Sequence, residues 1–398
     1  MANTLNLGNG NWGVKKDSLL GYNSENGNYK PLPFDFTRAS SATVVNKDGL
    51  IETVGSGEPR IDFKDNTKGA LKLEPQRTNY QPYSTDFSVW GLSGATVNIN
   101  YGLSPDGLNN STLITEGTGS AQHRIVKGSP ASSGIYTLSC FVKNKVGNHQ
   151  AYIDMGAVTG FFSFDTKTMF SATGTTSVEI WSDDWYRISI TSSSNITPIV
   201  TFLGIGKNNN ETFQGDGSSA IEFFAPQLEQ GSYATSYIPT SGQANGVTRV
   251  AESCNGAGNE QVFNDSEGTF FIETSALANS SIFRNISISD GTTSNLISLI
   301  FTNANQIRLD FTNQAQLFDT TTDITNVNKI AFSYKLNEIK LYVNGVLKAT
   351  DTNATMPSNL NTLRFDNTIG APLFSKTKDI KYFNTALTDQ ELISLTKK

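Results

Sequence analysis

The chain has 398 residues, room for two to three domains of ordinary size and far more than a single mini-domain needs. The 30 Lys and Arg set against 36 Asp and Glu leave a net charge of −6, and charged residues make up 17% of the chain, below the roughly 25% of an average soluble domain. So few clustered cations suit a phosphate backbone badly, which excludes nucleic acid as an expected partner.

Residues 1–33 are rich in Gly and Asn and show little apolar periodicity, so they are expected to form an irregular attachment segment ordered by a partner surface. Trp12, Leu19, Leu20 and Tyr22 are its sizeable apolar residues and its candidate docking anchors. The start of the chain lacks the basic then apolar order of a signal peptide, and no run approaches the 18 or so apolar residues of a membrane span. Neither export nor membrane insertion is expected.

Residues 34–82 carry short strand-like runs broken by turns and read as a hairpin adaptor; Asp48-Gly49 between SATVV and GLIETV is a hairpin signal. Residues 83–250 read as a succession of strands spaced for a β-sandwich. Within it WYRISIT alternates, with Trp185, Arg187 and Ser189 on one face and Tyr186, Ile188 and Ile190 on the other. The polar stretch AESCNGAGNEQ then reads as a linker to a second sandwich over 262–398. There Asn344-Gly345 predicts a second hairpin tip, and TALTDQELISLTKK predicts one short helix, capped by Thr388 with Glu391. No internal repeat of 20–50 residues is present, which disfavours solenoids and propellers. The expected fold is all-β: two jelly-roll-like sandwiches in tandem, an irregular N-terminal segment and one short C-terminal helix.

Signals for chemistry are sparse. Cys140 and Cys254 read as free thiols, Cys140 as a small buried hydrophobe. Glycosidic cleavage needs two carboxylates across the scissile bond, and Glu179, Asp183, Asp184 and Asp310 lack the spacing of jelly-roll glucanases. His123 and His149 have no nucleophile elbow to serve and read as structural. Two Cys and two His do not comfortably build a zinc site, so no metal and no cofactor are expected. Asp216 could give an oxygen to calcium, although a plain Asp-Gly turn is the simpler reading. Sugar stacking is open to Trp90, Trp181, Trp185 and Tyr186. Trp90 and Trp185 fit a core better, which leaves Trp181, with Asp183 and Asp184 beside it, as the candidate glycan-binding group.

The run FTRASSATVVNKDGLIETVGSGEPRIDF, then LKLEPQRTNYQPYSTDFSVW, SPDG at Ser104–Gly107, FFAPQLEQGSYATSYIPTSG and VTRVAE together resemble a module common in structural proteins of tailed bacteriophages. The resemblance covers residues 34–252 and implies a tail-fibre, tail-spike or head-fibre component. It implies a carbohydrate-binding-module-like middle domain and a concanavalin A-like or laminin G-like end domain. Arg38, Glu58, Pro59, Arg60, Glu74, Arg77 and Asn79, with Gln227, Glu229, Gly231, Tyr237, Pro239 and Arg249, occupy its recurring positions. Their carboxylate and guanidinium groups are expected to tie the motifs together. The expectation is then a non-enzymatic virion protein, assembled in the bacterial cytoplasm. Its N-terminus would attach it to capsid or tail proteins, and its sandwiches would meet host-surface glycans, with a homotrimer favoured. The alternatives are a structural decoration or connector protein and, third, a polysaccharide depolymerase.

Overall fold

Period-two alternation decides the architecture. In the strand Tyr136–Val146, Tyr136, Leu138, Cys140 and Val142 point into one core, and the same alternation recurs along the chain. The computed structural model describes residues 4–23, 28–29, 33–279, 282–311 and 316–398. Their regular structure is nearly all strand, with one α-helix, Asp389–Thr396, and no helix long and apolar enough to cross a membrane.

The chain forms two units. The first comprises residues 1–47, 54–75 and 250–398, and the second residues 48–53 and 76–249. Residues from the expected attachment segment, adaptor, linker and end domain therefore share one unit. Leu5 pairs with Tyr382 and Leu71 with Thr377 in one sheet, while Cys254 pairs with Phe36 in the other. The stretch expected to be a linker contains the strand Ser253–Ala257, and Cys254 is buried. Both sheets contribute to one core, Phe270, Phe332 and Ile380 from the first and Ile286, Leu299 and Leu363 from the second. Asn344 and Gly345 both have positive φ between the strands Glu338–Val343 and Val346–Asp351, as a type I′ hairpin requires. Thr388 and Glu391 make the reciprocal capping box, and Leu387 and Leu392 pack the helix on Phe271, Ala331 and Tyr342.

Of the recurring charged residues of the first unit, the exposed Glu58 accepts the Gly55 N–H, whereas Arg38, Arg60 and Glu74 converge on Glu252. Its Oε1 accepts from Arg38 Nη1 and Arg60 Nε, each at 2.7 Å, and its Oε2 from Arg60 Nη2 at 2.5 Å and the Glu74 backbone N–H at 2.9 Å. Glu74 closes the group at 2.9 Å from Arg60. Burial would lower the Arg60 pKa, but Glu252 and Glu74 outweigh it and raise it, so two buried cations stand against two buried anions.

The second unit is a sandwich. One sheet orders the strands Gly91–Ser93, Ser120–Gly128, Val200–Gly206, Gln150–Asp154, Thr159–Ser163 and Thr168–Phe170, with Thr212–Gln214 also on Ser120–Gly128. The other orders Ala95–Asn98, Thr112–Glu116, Ala220–Gln230, Tyr136–Val146, Tyr186–Ser192 and Gly174–Ile180. Ile125, Ile153 and Leu203 from the first meet Leu138, Ile188 and Phe223 from the second. Of the recurring polar residues of this unit, Asn79, Gln227, Glu229 and Arg249 are buried too, and Arg77 is half-buried. Glu229 accepts from Thr235 at both oxygens, Arg249 reaches Thr235 and Ser236, and Asn79 holds Ile238 and Leu228.

Candidate functional site

Because Ile125, Leu203, Ile205, Ala151, Ile153 and Phe162 point inward, their sequence neighbours point to the outer face of the seven-stranded sheet. The register lines these up into a transverse row. Ser93 lies opposite Arg124, Arg124 opposite Gly204, Gly204 opposite Tyr152, Tyr152 opposite Phe161, and Phe161 opposite Phe170. A second row runs from Val126 through Phe202 and Asp154 to Thr159.

Gly204 leaves the middle of the first row without a side chain. Arg124 reaches across that gap, its Nη1 donating to the Tyr152 hydroxyl at 3.0 Å and standing 3.3 Å from Glu211. The Tyr152 hydroxyl in turn donates to Glu211 Oε2 at 2.5 Å. The guanidinium carbon lies 3.7 Å from the centre of the Phe202 ring, a cation–π contact, and the Tyr152 and Phe161 rings stack at 5.5 Å. Tyr152 is only 1% exposed, whereas Phe170 is 50% exposed and the Glu211 side chain 36%. The face therefore has a buried polar floor with an aromatic edge and a half-open carboxylate.

Burial, then Asp154 and the bond to Glu211, raise the Tyr152 hydroxyl far above its ordinary range. Burial also pushes the Asp154 carboxyl up, partly offset by the Thr159 hydroxyl at 2.5 Å and the Gly156 N–H. Because its folded pKa lies above the unfolded value of about 3.9, Asp154 favours folding most at low pH, and that contribution is lost as pH rises through the folded pKa. Asp154→Asn should therefore gain in stability relative to the native chain as pH climbs from about 3.9 through that raised value. Urea unfolding across the window checks it; a stability difference independent of pH would show that Asp154 does not titrate there.

No family model matches the sequence, and no curated protein matches it. Solved structures do. The carbohydrate-binding module of the Ruminococcus gnavus IT-sialidase, bound to α2,3-sialyllactose, is 21% identical, with 36% of this chain and 93% of that one covered at a TM-score of 0.31. Domains LG4-5 of the mouse laminin α1 chain are 11% identical, with 68% and 89% covered and a TM-score of 0.24. Trypanosoma rangeli sialidase is 10% identical, with 96% and 83% covered and a TM-score of 0.30. Likenesses this loose carry no function to this chain, which has to be argued from its own geometry.

The glycan candidates read from sequence lie on the other sheet of the second unit. Asp183 and Asp184, both exposed and both with positive φ, form the turn between Gly174–Ile180 and Tyr186–Ser192, where Trp181 N–H donates to the Trp185 carbonyl. Trp181 is half-buried with its ring edge-on to Phe141 at 4.8 Å, so part of its platform is spent on packing. Trp90, Trp185 and Tyr186 are buried. Both faces of WYRISIT are buried, and Arg187 donates to the Thr235 carbonyl and to Ser139. Asp216 makes the plain turn, accepting from the backbone N–H groups and hydroxyls of Ser218 and Ser219. Glu179 is exposed and opposite Arg187, while Asp310 belongs to the first unit and pairs with Arg308.

The docking candidates are placed differently from expectation. Leu19 is fully buried in the core of the first unit, so its apolar surface is spent there and not on a partner. Trp12 packs partly on the same core and donates its indole N–H to the Lys68 carbonyl at 2.8 Å. Leu20 is half-buried in the strand Ser18–Leu20, and the side chain of Tyr22 lies outside the described residues.

Proposed function

We propose that this chain is a non-catalytic glycan-binding protein and that it binds through the outer face of the seven-stranded sheet. The observation carrying this reading is the row Arg124, Gly204, Tyr152, Phe161 and Phe170 with Glu211 beside it. The half-exposed Phe170 ring, with Tyr152 and Phe161 buried in the same row, suits the apolar face of a pyranose ring, and a guanidinium with a half-open carboxylate suits hydroxyl or carboxylate substituents. The same groups are poorly set for cleavage. The Tyr152 proton is held by burial, and both Asp154 oxygens already accept hydrogen bonds. The likeness of residues 34–252 to phage structural proteins supports use on a virion, as a fibre or head-fibre appendage meeting bacterial surface glycans.

The test is a glycan array of neutral and acidic bacterial-surface sugars probed with the full-length chain, then with Arg124→Ala. Binding by the native chain and a loss of about 10–100-fold in the variant is expected, the worth of one charged hydrogen bond. No glycan retained by the native chain would favour a structural connector instead. Binding unchanged in both Arg124→Ala and Phe170→Ala would move the site elsewhere.

A further inference from the structure

Three distant stretches of the second unit meet at Glu116, His149 and Asp216. They are the end of the strand Thr112–Glu116, the residue before Gln150–Asp154 and the loop after Thr212–Gln214. One ligand atom from each lies within 4.8 Å of the other two. The Glu116 side chain is fully buried; its Oε2 stands 2.7 Å from His149 Nδ1, and its Oε1 accepts the Asp216 N–H at 2.6 Å. His149 is only 12% exposed at its side chain, and Phe213 meets its ring edge-on at 5.3 Å, which fixes the direction of Nδ1. Asp216 accepts from both the hydroxyls and the N–H groups of Ser218 and Ser219, and these bonds hold its carboxylate ionised far below the usual range.

We propose that Glu116, His149 and Asp216 bind a divalent first-row transition metal, with Zn²⁺ the best match. Two carboxylates drawn this close repel each other, and a dication between them removes that repulsion. The imidazole decides the class of ion: nitrogen with two oxygens, the set completed by water, suits Zn²⁺, whereas Ca²⁺ and Mg²⁺ favour all-oxygen shells. Zinc bonds of about 2.0–2.2 Å require the donors to draw inward, so the exposed Asp216 carboxylate would exchange part of its hydrogen bonding to Ser218 and Ser219 for the ion. His149 Nδ1, now 2.7 Å from Glu116 Oε2, would turn its lone pair to the ion, with the ring N–H on Nε2. The ion would join three segments of one sandwich, a role separate from the glycan-binding face.

The test uses the full-length, untagged chain stripped with chelator, titrated calorimetrically with ZnCl₂ and separately with CaCl₂, and with Co²⁺ for its visible ligand-field bands. One Zn²⁺ per chain is expected, with affinity falling at least about tenfold in His149→Ala and in Asp216→Asn, and with Co²⁺ bands absent from His149→Ala. Asp216 is exposed and His149 sits near the surface, so both variants should fold, which circular dichroism checks; Glu116→Gln is avoided because that carboxylate is buried. No Zn²⁺ uptake by the folded native chain overturns the proposal. So does uptake unchanged in His149→Ala, or a Ca²⁺ affinity equal to that for Zn²⁺.

Discussion

Glu252→Gln is expected to destabilise the first unit by about 3–5 kcal/mol, the cost of leaving a buried charge without its partner. Four donors converge on the two oxygens of Glu252: Arg38 Nη1, Arg60 Nε, Arg60 Nη2 and the Glu74 N–H. A glutamine keeps one acceptor oxygen and turns an NH₂ toward groups that themselves donate. It also leaves Arg38 and Arg60 with Glu74 as the remaining carboxylate of the network, one net positive charge in a site where three of the four side chains are fully buried. Urea unfolding followed by far-ultraviolet circular dichroism reads the shift in midpoint. A cost under about 1 kcal/mol, that of an exposed pair, would mean that water reaches the network. Replacing Arg60 with Met in the same background should recover part of the loss, because it removes the orphaned cation as well.

Gly204→Ala should damage both the second unit and its outer face. A Cβ at this position would stand 2.3 Å from the His123 carbonyl oxygen and 2.7 Å from Arg124 Cβ. The first of these atoms is backbone of the neighbouring strand, so the sheet itself must shift, at a cost of about 1–3 kcal/mol for overpacking. The second carries the guanidinium that spans the gap to Tyr152. Glycan retention should therefore fall at least as far as in Arg124→Ala. A variant as stable as the native chain, with glycan binding intact, would show that the gap in the row is not needed.

How much of this could be read beforehand depended on the range of the interaction. The Asn344-Gly345 hairpin and the Thr388 cap were readable because their partners lie within a few residues. Arg38, Arg60 and Glu74 were recognisable as structural charges from their motif, although the carboxylate at their centre, Glu252, follows them by more than a hundred and seventy positions. The N-terminal segment read as irregular because a strand as short as Leu5–Gly8 offers only Leu5 and Leu7 as signal, and its partner is Ser375–Phe383. Arg124, Tyr152 and Asp154 carry little signal in the sequence for a related reason. Each strand alone shows only an ordinary outer face, and the row exists only once six strands are in register. The one local hint was QAYID, where Tyr152 and Asp154 share the side opposite Ala151 and Ile153. Trp181 drew attention as an aromatic beside two acids, but a type I′ turn explains the acids, and the Phe141 ring takes up part of the indole.

The pairing of Leu5–Gly8 with Ser375–Phe383 also dictates an order of events on the ribosome. At about 5–20 residues per second, tens of seconds separate the emergence of these two strands. Through that interval Leu5 and Leu7 lack their partner strand, and Phe36 waits until Ser253–Ala257 has emerged, so a core completed only by the last strands stays partly uncovered. Residues 76–249 are contiguous apart from the short piece 48–53 and can finish folding while the rest of the chain is still being made. A nascent chain stalled before residue 375 should thus hold a protease-resistant middle and a sticky, chaperone-seeking beginning, and recombinant truncations from the C-terminal end should aggregate even when the middle sandwich is sound.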